Sequence, residues 1–147
     1  MLFRSPLLDE LGLTSALYYY AEGFAKRSGI HVSLDVPTKL GRLPRELETT
    51  VFRIVQESLT NIHRHSRSAT ARIRIVRNAT DLTLEVSDEG NGMSPAVLER
   101  SNGSGGCLGV GIAGMRERAR QLGGQLAIDA SGRGVKVRAT LPLSGGQ

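Results

Sequence analysis

The chain has 147 residues, 39% of them hydrophobic and 22% charged, an ordinary composition for one globular domain that needs no disulfide or metal staple. It has no run of about 18 apolar residues, so no membrane-spanning helix is expected; residues 1–6 lack the apolar stretch of a secretory signal, and a lone cysteine, Cys107, cannot close an internal disulfide. The net charge of +5 and the pI near 10.0 invite a nucleic-acid partner, but aromatics are only 4% and the arginines are scattered over 42–53, 72–77, 116–120 and 133–138, which suits solvated faces, a polyphosphate ligand or an acidic protein partner better.

In chain order, Leu7, Leu8, Leu11, Leu17, Tyr20, Ala21 and Phe24 recur at helical spacing, and Gly29 is a C-terminal stop. Val32, Leu34 and Val36 alternate with polar residues, which predicts a half-buried strand ended by Pro37. Pro44 marks a helix start, and Leu47, Val51, Ile54, Val55, Ser58, Leu59 and Ile62 make one face of a long helix. Two alternating strands follow, through Ala71, Ile73 and Ile75 and then Leu82, Leu84 and Val86, with a turn at 78–81. Between Gly90 and Gly114 there are eight glycines in 25 residues, which predicts a loop rather than core. Ile112, Met115, Ala119 and Leu122 predict a third helix ended by Gly123-Gly124, and strands over 125–129 and 135–141 close the chain. About five strands, each with one polar face, do not suit a doubly wound parallel sheet. They predict an α+β, two-layer α/β sandwich: a mostly antiparallel mixed sheet with three helices on one face.

Three features could carry chemistry. On the long helix Glu57, Asn61 and His65 lie at i, i+4 and i+8 with Arg64 beside them, a polar stripe about 90° from the apolar face. A Glu and an Asn carbonyl there suit Mg²⁺, which takes few protein oxygens beside ligand phosphates; a solvated helix side with i,i+4 contacts is the competing account. Second, Asp88-Glu89-Gly90-Asn91-Gly92-Met93 ends a strand, and Asp88 shares the parity of Leu82, Leu84 and Val86, so its carboxylate faces the core. A buried carboxylate needs hydrogen bonds, and an adenine amino group is a suitable donor; an ordinary acidic turn is the alternative. Third, Gly109-Val110-Gly111 and Gly114 precede helical residues, where free N–H groups favour an anion. This is neither a dinucleotide fingerprint nor a Walker loop, because no strand leads into it and no Gly-Lys-Ser/Thr follows.

Taken in order, the three resemble the Bergerat-type ATP-binding fold of histidine kinases, DNA gyrase B, the ninety-kilodalton heat-shock chaperones and the MutL proteins. Asn61 with Glu57, Arg64 and His65 matches the N box of that superfamily; Asp88, Gly90 and Gly92 match its first glycine box; Gly109 and Gly111 match its second. Gln56 to Asn61, Gly114-Met115-Arg116-Glu117-Arg118 and Leu8 to Leu13 look like sensor histidine kinases paired with NarL-type regulators. The resemblance implies a linker end at 1–6, an ATP-binding catalytic domain at 7–143 and a flexible tail at 144–147. It implies that Asp88 reads the adenine amino group, that Asn61 and Glu57 serve Mg²⁺, with Glu57 also orienting groups catalytically, and that Arg64 and His65 meet phosphate oxygens. Residues 91–110 would form a lid, bringing Met93 and Val110 to the ATP.

The same resemblance implies a dimerisation and histidine-phosphotransfer domain as partner, a response regulator reached indirectly, and no nucleic acid. His31, His63 and His65 are not followed by an acidic residue, so none resembles the phosphate acceptor. The chain is therefore expected to be the C-terminal piece of a longer cytoplasmic or membrane-anchored kinase, with this domain in the cytoplasm and unable to autophosphorylate alone. Val135 stands where the family commonly has a Thr that supports adenine binding. Thr140, on the same strand, has the opposite parity and is a poor substitute, though it is kept among the ATP-site candidates. A serine kinase acting on a sigma-factor regulator, a nucleotide-binding module without phosphotransfer and, third, a basic nucleic-acid-binding domain are the alternatives.

Overall fold

The computed structural model describes residues 6–65, 68–90, 107–130 and 134–143, with the backbone alone for 6–11 and 107–110. Among the described residues the elements are α1 (Pro6–Ser28), β1 (His31–Asp35), α2 (Arg45–His65), β2 (Thr70–Arg77), β3 (Asp81–Asp88), α3 (Cys107–Gln121), β4 (Gln125–Asp129) and β5 (Lys136–Pro142). The strands form one sheet in the order β1-β2-β3-β5-β4. β1 and β2 are parallel, with α2 as the crossover between them, and the other pairings are antiparallel. This is the expected α+β architecture.

Alternation along the strands decides which face is covered. Ala71, Ile73 and Ile75 on β2, Leu82, Leu84 and Val86 on β3, and Val137, Ala139 and Leu141 on β5 are all buried. They meet Leu13, Leu17 and Phe24 of α1, Leu47, Val51, Ile54, Val55, Leu59 and Ile62 of α2, and Ile112, Met115 and Ala119 of α3. Each Val, Leu, Ile, Phe or Met among them contributes about 1.5–3 kcal/mol by leaving water, so this single layer is the main source of stability. The other sheet face carries exposed Arg72, Arg74 and Arg138. There Arg138 pairs with Glu85 at 2.7 Å and Arg72 with Asp35 at 3.3 Å. Part of the positive charge is thus balanced on a solvated sheet face.

α2 is the element that organises the site. Pro44 caps it, its carbonyl accepting from the Glu48 N–H at 3.0 Å. The Glu48 carboxylate is buried, at 2% residue exposure. It accepts a fork from Arg42 (Nε 3.2 Å, Nη2 3.1 Å) and the Leu43 N–H at 3.1 Å, tying down the loop that leads into the helix. At the other end His63, Arg64 and His65 lie where the helix dipole favours cations.

Two sequence expectations need correction. The first helix is not one continuous rod, because Gly12 has φ 86° and ψ 176° and divides α1 into two segments; apolar spacing continues across the break and conceals it. Residues 107–114, expected as loop on glycine content, belong to α3. The apolar positions Ile112, Met115 and Ala119, all buried, supply packing that outweighs a penalty of about 1 kcal/mol per helical glycine. Of the proposed lid, 91–106 lies outside the described residues.

Candidate functional site

Asp88 sits at the last position of β3, whose burial alternates strictly, and is only 6% exposed. The strand period therefore turns its carboxylate to the helix side, as the sequence predicted. Its Oδ1 accepts from the Gly90 N–H at 2.7 Å, an Asx turn that bends the chain off the strand, and Oδ2 is also buried. The Asp88 N–H donates to the Val135 carbonyl at 3.1 Å, which extends the β3–β5 ladder.

Gly134 closes this corner. Its φ is +83°, and a Cβ placed there would lie 2.7 Å from the Asp88 carbonyl carbon and 2.9 Å from Oδ1. Only glycine fits that approach without displacing the acid. This contribution was not recognised in the sequence; the turn around 132–134 was legible there, but not the residue that it would touch.

The stripe on α2 is graded. Glu57 and Asn61 are half-buried, whereas Arg64 and His65 are exposed. Register places the stripe's end near Asp88. α2 ends at His65, β2 begins at Thr70, and Ala71 pairs directly with Asp88. Ser68, between helix and strand, accepts the Glu89 N–H on its Oγ at 3.2 Å. The helix C-terminus and the strand-end acid thus occupy the same end of the molecule.

Glu57 also faces α3. A Cβ on Gly111 would lie 2.9 Å from Glu57 Cδ and closer still to Oε2, so α3 approaches the carboxylate with no side chain between them. Nearby, Ser58 Oγ donates to Met115 Sδ at 3.6 Å. A cavity of about 330 Å³ is lined by Arg53, Gln56, Glu57, Thr60, Gly111, Gly114, Met115 and Arg118. Glu57 and Gly111 are the predicted site residues that line it; Asn61 and Asp88 do not.

The remaining candidates separate. Gly90 is bonded to Asp88, Gly109 and Val110 belong to the backbone of α3, and Gly92 and Met93 lie outside the described residues. Thr140 does not join the site. It pairs with Thr83, five residues along β3 from Asp88, or roughly 17 Å at strand rise. It lines a hollow on the opposite sheet face with Arg74, Val76, Thr83, Glu85 and Arg138. Its parity, opposite to that of buried Val137 and Ala139, is the reason, and its place among the ATP-site candidates is corrected accordingly.

The donor chemistry fits a nucleotide. A buried carboxylate backed by a glycine cradle can accept from an amino group on a flat base. Among the described residues no three His, Cys, Asp or Glu side chains gather to hold a metal. Glu57 and Asn61 offer oxygens one helical turn apart, as few as Mg²⁺ needs when phosphates complete its shell.

Comparison with known proteins decides the family. A profile described as "Histidine kinase-, DNA gyrase B-, and HSP90-like ATPase" matches residues 46–145. The chain belongs to this ATPase family. The ATPase domain is 34% identical over 142 residues to the oxygen sensor histidine kinase NreB of Staphylococcus carnosus, covering 96% of this chain and 39% of that protein. It is 34% identical over 139 residues to the sensor histidine kinase NarS of Mycobacterium tuberculosis, covering 93% and 31%. The histidine kinase domain of the Erythrobacter litoralis EL346 blue-light activated histidine kinase superposes with a TM-score of 0.75 at 25% identity, covering 90% of this chain and 61% of that one.

The chain therefore spans about two fifths or less of the length of these curated relatives. The matches identify it as an ATP-binding domain of the sensor-histidine-kinase kind. The relatives are histidine kinases, not serine kinases, which removes the support for the sigma-factor alternative. No described helix is long and apolar enough to cross a membrane.

Proposed function

We propose that this domain binds ATP together with Mg²⁺ and presents the γ-phosphoryl group to a histidine on a dimerisation domain that lies outside this chain. The carrying observation is Asp88: a carboxylate buried at a strand end, backed by Gly134, at the end of the fold where α2, the helix of Glu57 and Asn61, terminates. Asp88 accepts from the adenine amino group. Asn61 contributes its carbonyl, and Glu57 its carboxylate, as oxygen donors for the metal and as orienting groups. Arg64 and His65, exposed at the end of α2, neutralise phosphate oxygens in this reading. Mg²⁺-ATP, when bound, supplies the transferable phosphoryl group and the metal charge that offsets charge developing on its oxygens. The chain's own part is thus positioning and charge placement. We place the domain in the cytoplasm, where ATP is available, with a response regulator as the indirect recipient of the phosphoryl group.

ATP titration with and without Mg²⁺, on the wild-type chain, Asn61→Ala and Asp88→Asn, tests this reading. A hydrogen bond to a charged group contributes about 1.5–3 kcal/mol, so Asp88→Asn should weaken all adenine-nucleotide binding by roughly one to two orders of magnitude. Asn61→Ala should abolish the Mg²⁺ enhancement while sparing the metal-free affinity. Incubation with radiolabelled ATP and the separate dimerisation domain should label that domain's histidine and leave this chain unlabelled. Equal affinities across the three proteins, or phosphohistidine on the isolated chain, would contradict the reading.

A further inference from the structure

The β2–β3 ladder carries its last registered pair at Ala71 and Asp88. One step further the register brings Thr70 opposite Glu89, and there a side chain takes over from the ladder. Both of their amides donate to the same oxygen. Ser68 Oγ accepts the Thr70 N–H at 3.2 Å and the Glu89 N–H at 3.2 Å, and it donates its own proton to the Thr70 carbonyl at 2.7 Å. A hydroxyl has one proton and two lone pairs, and these three bonds fill that capacity. Ser68 is only 9% exposed, so water is a poor replacement for it. The anchor itself is firm. Thr70 pairs with His31 of β1, whose N–H donates to the Ala69 carbonyl at 2.9 Å.

Glu89 follows the strand-end acid, and the peptide unit that joins the two is clamped on both sides. Its N–H, that of Glu89, is taken by Ser68. Its carbonyl, that of Asp88, lies against Gly134, where an added Cβ would come 2.7 Å from the carbonyl carbon. A peptide unit is planar, so holding its N–H and its C=O fixes the backbone on the C-terminal side of Asp88. The next amide, that of Gly90, donates to Asp88 Oδ1 at 2.7 Å, so the orientation of the carboxylate depends on that plane. We propose that Ser68 is a positioning residue for base recognition: by holding the Glu89 N–H it fixes the 88–90 turn, and with it the carboxylate that selects adenine. The inference rests on the proposed function. It goes beyond that function by giving a part in base specificity to a hydroxyl in the connection between α2 and β2, outside the three sequence motifs. Ser68 touches no nucleotide in this scheme; it acts through Asp88.

Base selectivity tests it. Titrations compare ATP with purine riboside triphosphate, which is ATP without the amino group that donates to Asp88. Ser68→Ala should weaken ATP binding about three- to tenfold and leave the analogue within about twofold of wild type. Ser68→Thr, which keeps the hydroxyl, should keep the wild-type ratio, and in the Asp88→Asn background Ser68→Ala should cost nothing further. A merely structural role would weaken both nucleotides alike. That result, a ratio unchanged by Ser68→Ala, or a loss of selectivity as large in Ser68→Thr as in Ser68→Ala overturns the inference and leaves the proposed function standing. A wild-type chain that binds the two nucleotides equally refutes the reading of Asp88, and the positioning role falls with it.

A second measurement needs no nucleotide. Amide hydrogen exchange of the free chain should find Thr70 and Glu89 protected in wild type and exchanging about tenfold faster or more in Ser68→Ala, with the amides of β4 unchanged. Equal exchange at Glu89 in the two proteins overturns the clamp directly, whatever the chain binds.

Discussion

Gly134→Ala is the sharpest test of how the strand-end acid is held. The residue has φ +83°, and an L-residue in the left-handed region costs roughly 1–2 kcal/mol. Its new methyl would also lie 2.7 Å from the Asp88 carbonyl carbon and 2.9 Å from Oδ1. The carbonyl belongs to the backbone of a central strand and cannot rotate away as a flexible side-chain tip would. The end of the β3–β5 ladder must open, losing the Asp88 N–H to Val135 carbonyl bond, worth about 0.5–1.5 kcal/mol. The sum is roughly 1.5–3.5 kcal/mol. Gly29→Ala is the internal control, because Gly29 has φ +77° but nothing within 4 Å of its added Cβ; it should lose only the conformational part, about 1–2 kcal/mol. Urea unfolding gives both values, with an unchanged m-value if only stability has moved. ATP titration should then show Gly134→Ala weakened at least tenfold and Gly29→Ala unchanged. If the two variants are equally stable, or if Gly134→Ala keeps full nucleotide affinity, the corner described around Asp88 is wrong.

Two further substitutions probe the same site from other directions. Gly111→Ala lies within α3, where Ala gains about 1 kcal/mol of helix propensity, but its Cβ would displace the Glu57 carboxylate. Thermal stability should stay near wild type while the Mg²⁺-dependent part of ATP affinity drops about fivefold or more, a loss near 1 kcal/mol; unchanged metal dependence would refute the role given to Glu57. Val135→Thr restores a hydroxyl next to the Asp88 ladder bond, so isothermal titration should show ATP binding tighter by about 0.5–1.5 kcal/mol. An unchanged or weaker affinity would mean that the hydroxyl finds no partner there.

The parts of the fold that were legible in advance follow from simple periods. Strict alternation on β3 predicted that Asp88 points inward, because one strand has one parity and Leu82, Leu84 and Val86 fix it. The six apolar positions named for α2, and Ser58 among them, are all buried. What escaped depends on contacts between segments far apart in sequence. The break at Gly12 is hidden because the apolar spacing carries on across it, and its cause lies in local φ and ψ. The helical state of 107–114 is hidden by glycine content, since propensity is local whereas the packing of Ile112 and Met115 is tertiary. Gly134 against Asp88 and Gly111 against Glu57 could not be read at all. Each joins two segments far apart in sequence, and no one-dimensional pattern records such a pairing.

The site owes its assembly to topology more than to any single motif. Asn61 and Asp88 are separated by two strands and a turn, yet β2 starts where α2 stops and β3 ends opposite the start of β2 through the Ala71–Asp88 pair. A short helix-to-strand connection and an antiparallel hairpin are therefore sufficient to bring an amide and an acid to one edge of the molecule. The register makes this arrangement sensitive to odd shifts. Moving β3 by one residue against β2 would place Ser87, not Asp88, on the helix face and turn the acid to solvent. The buried Leu82, Leu84 and Val86 oppose that shift, because each would leave the core along with it. Three apolar side chains at about 1.5–3 kcal/mol each hold the register, and the carboxylate is kept in place by the same packing that keeps the domain folded.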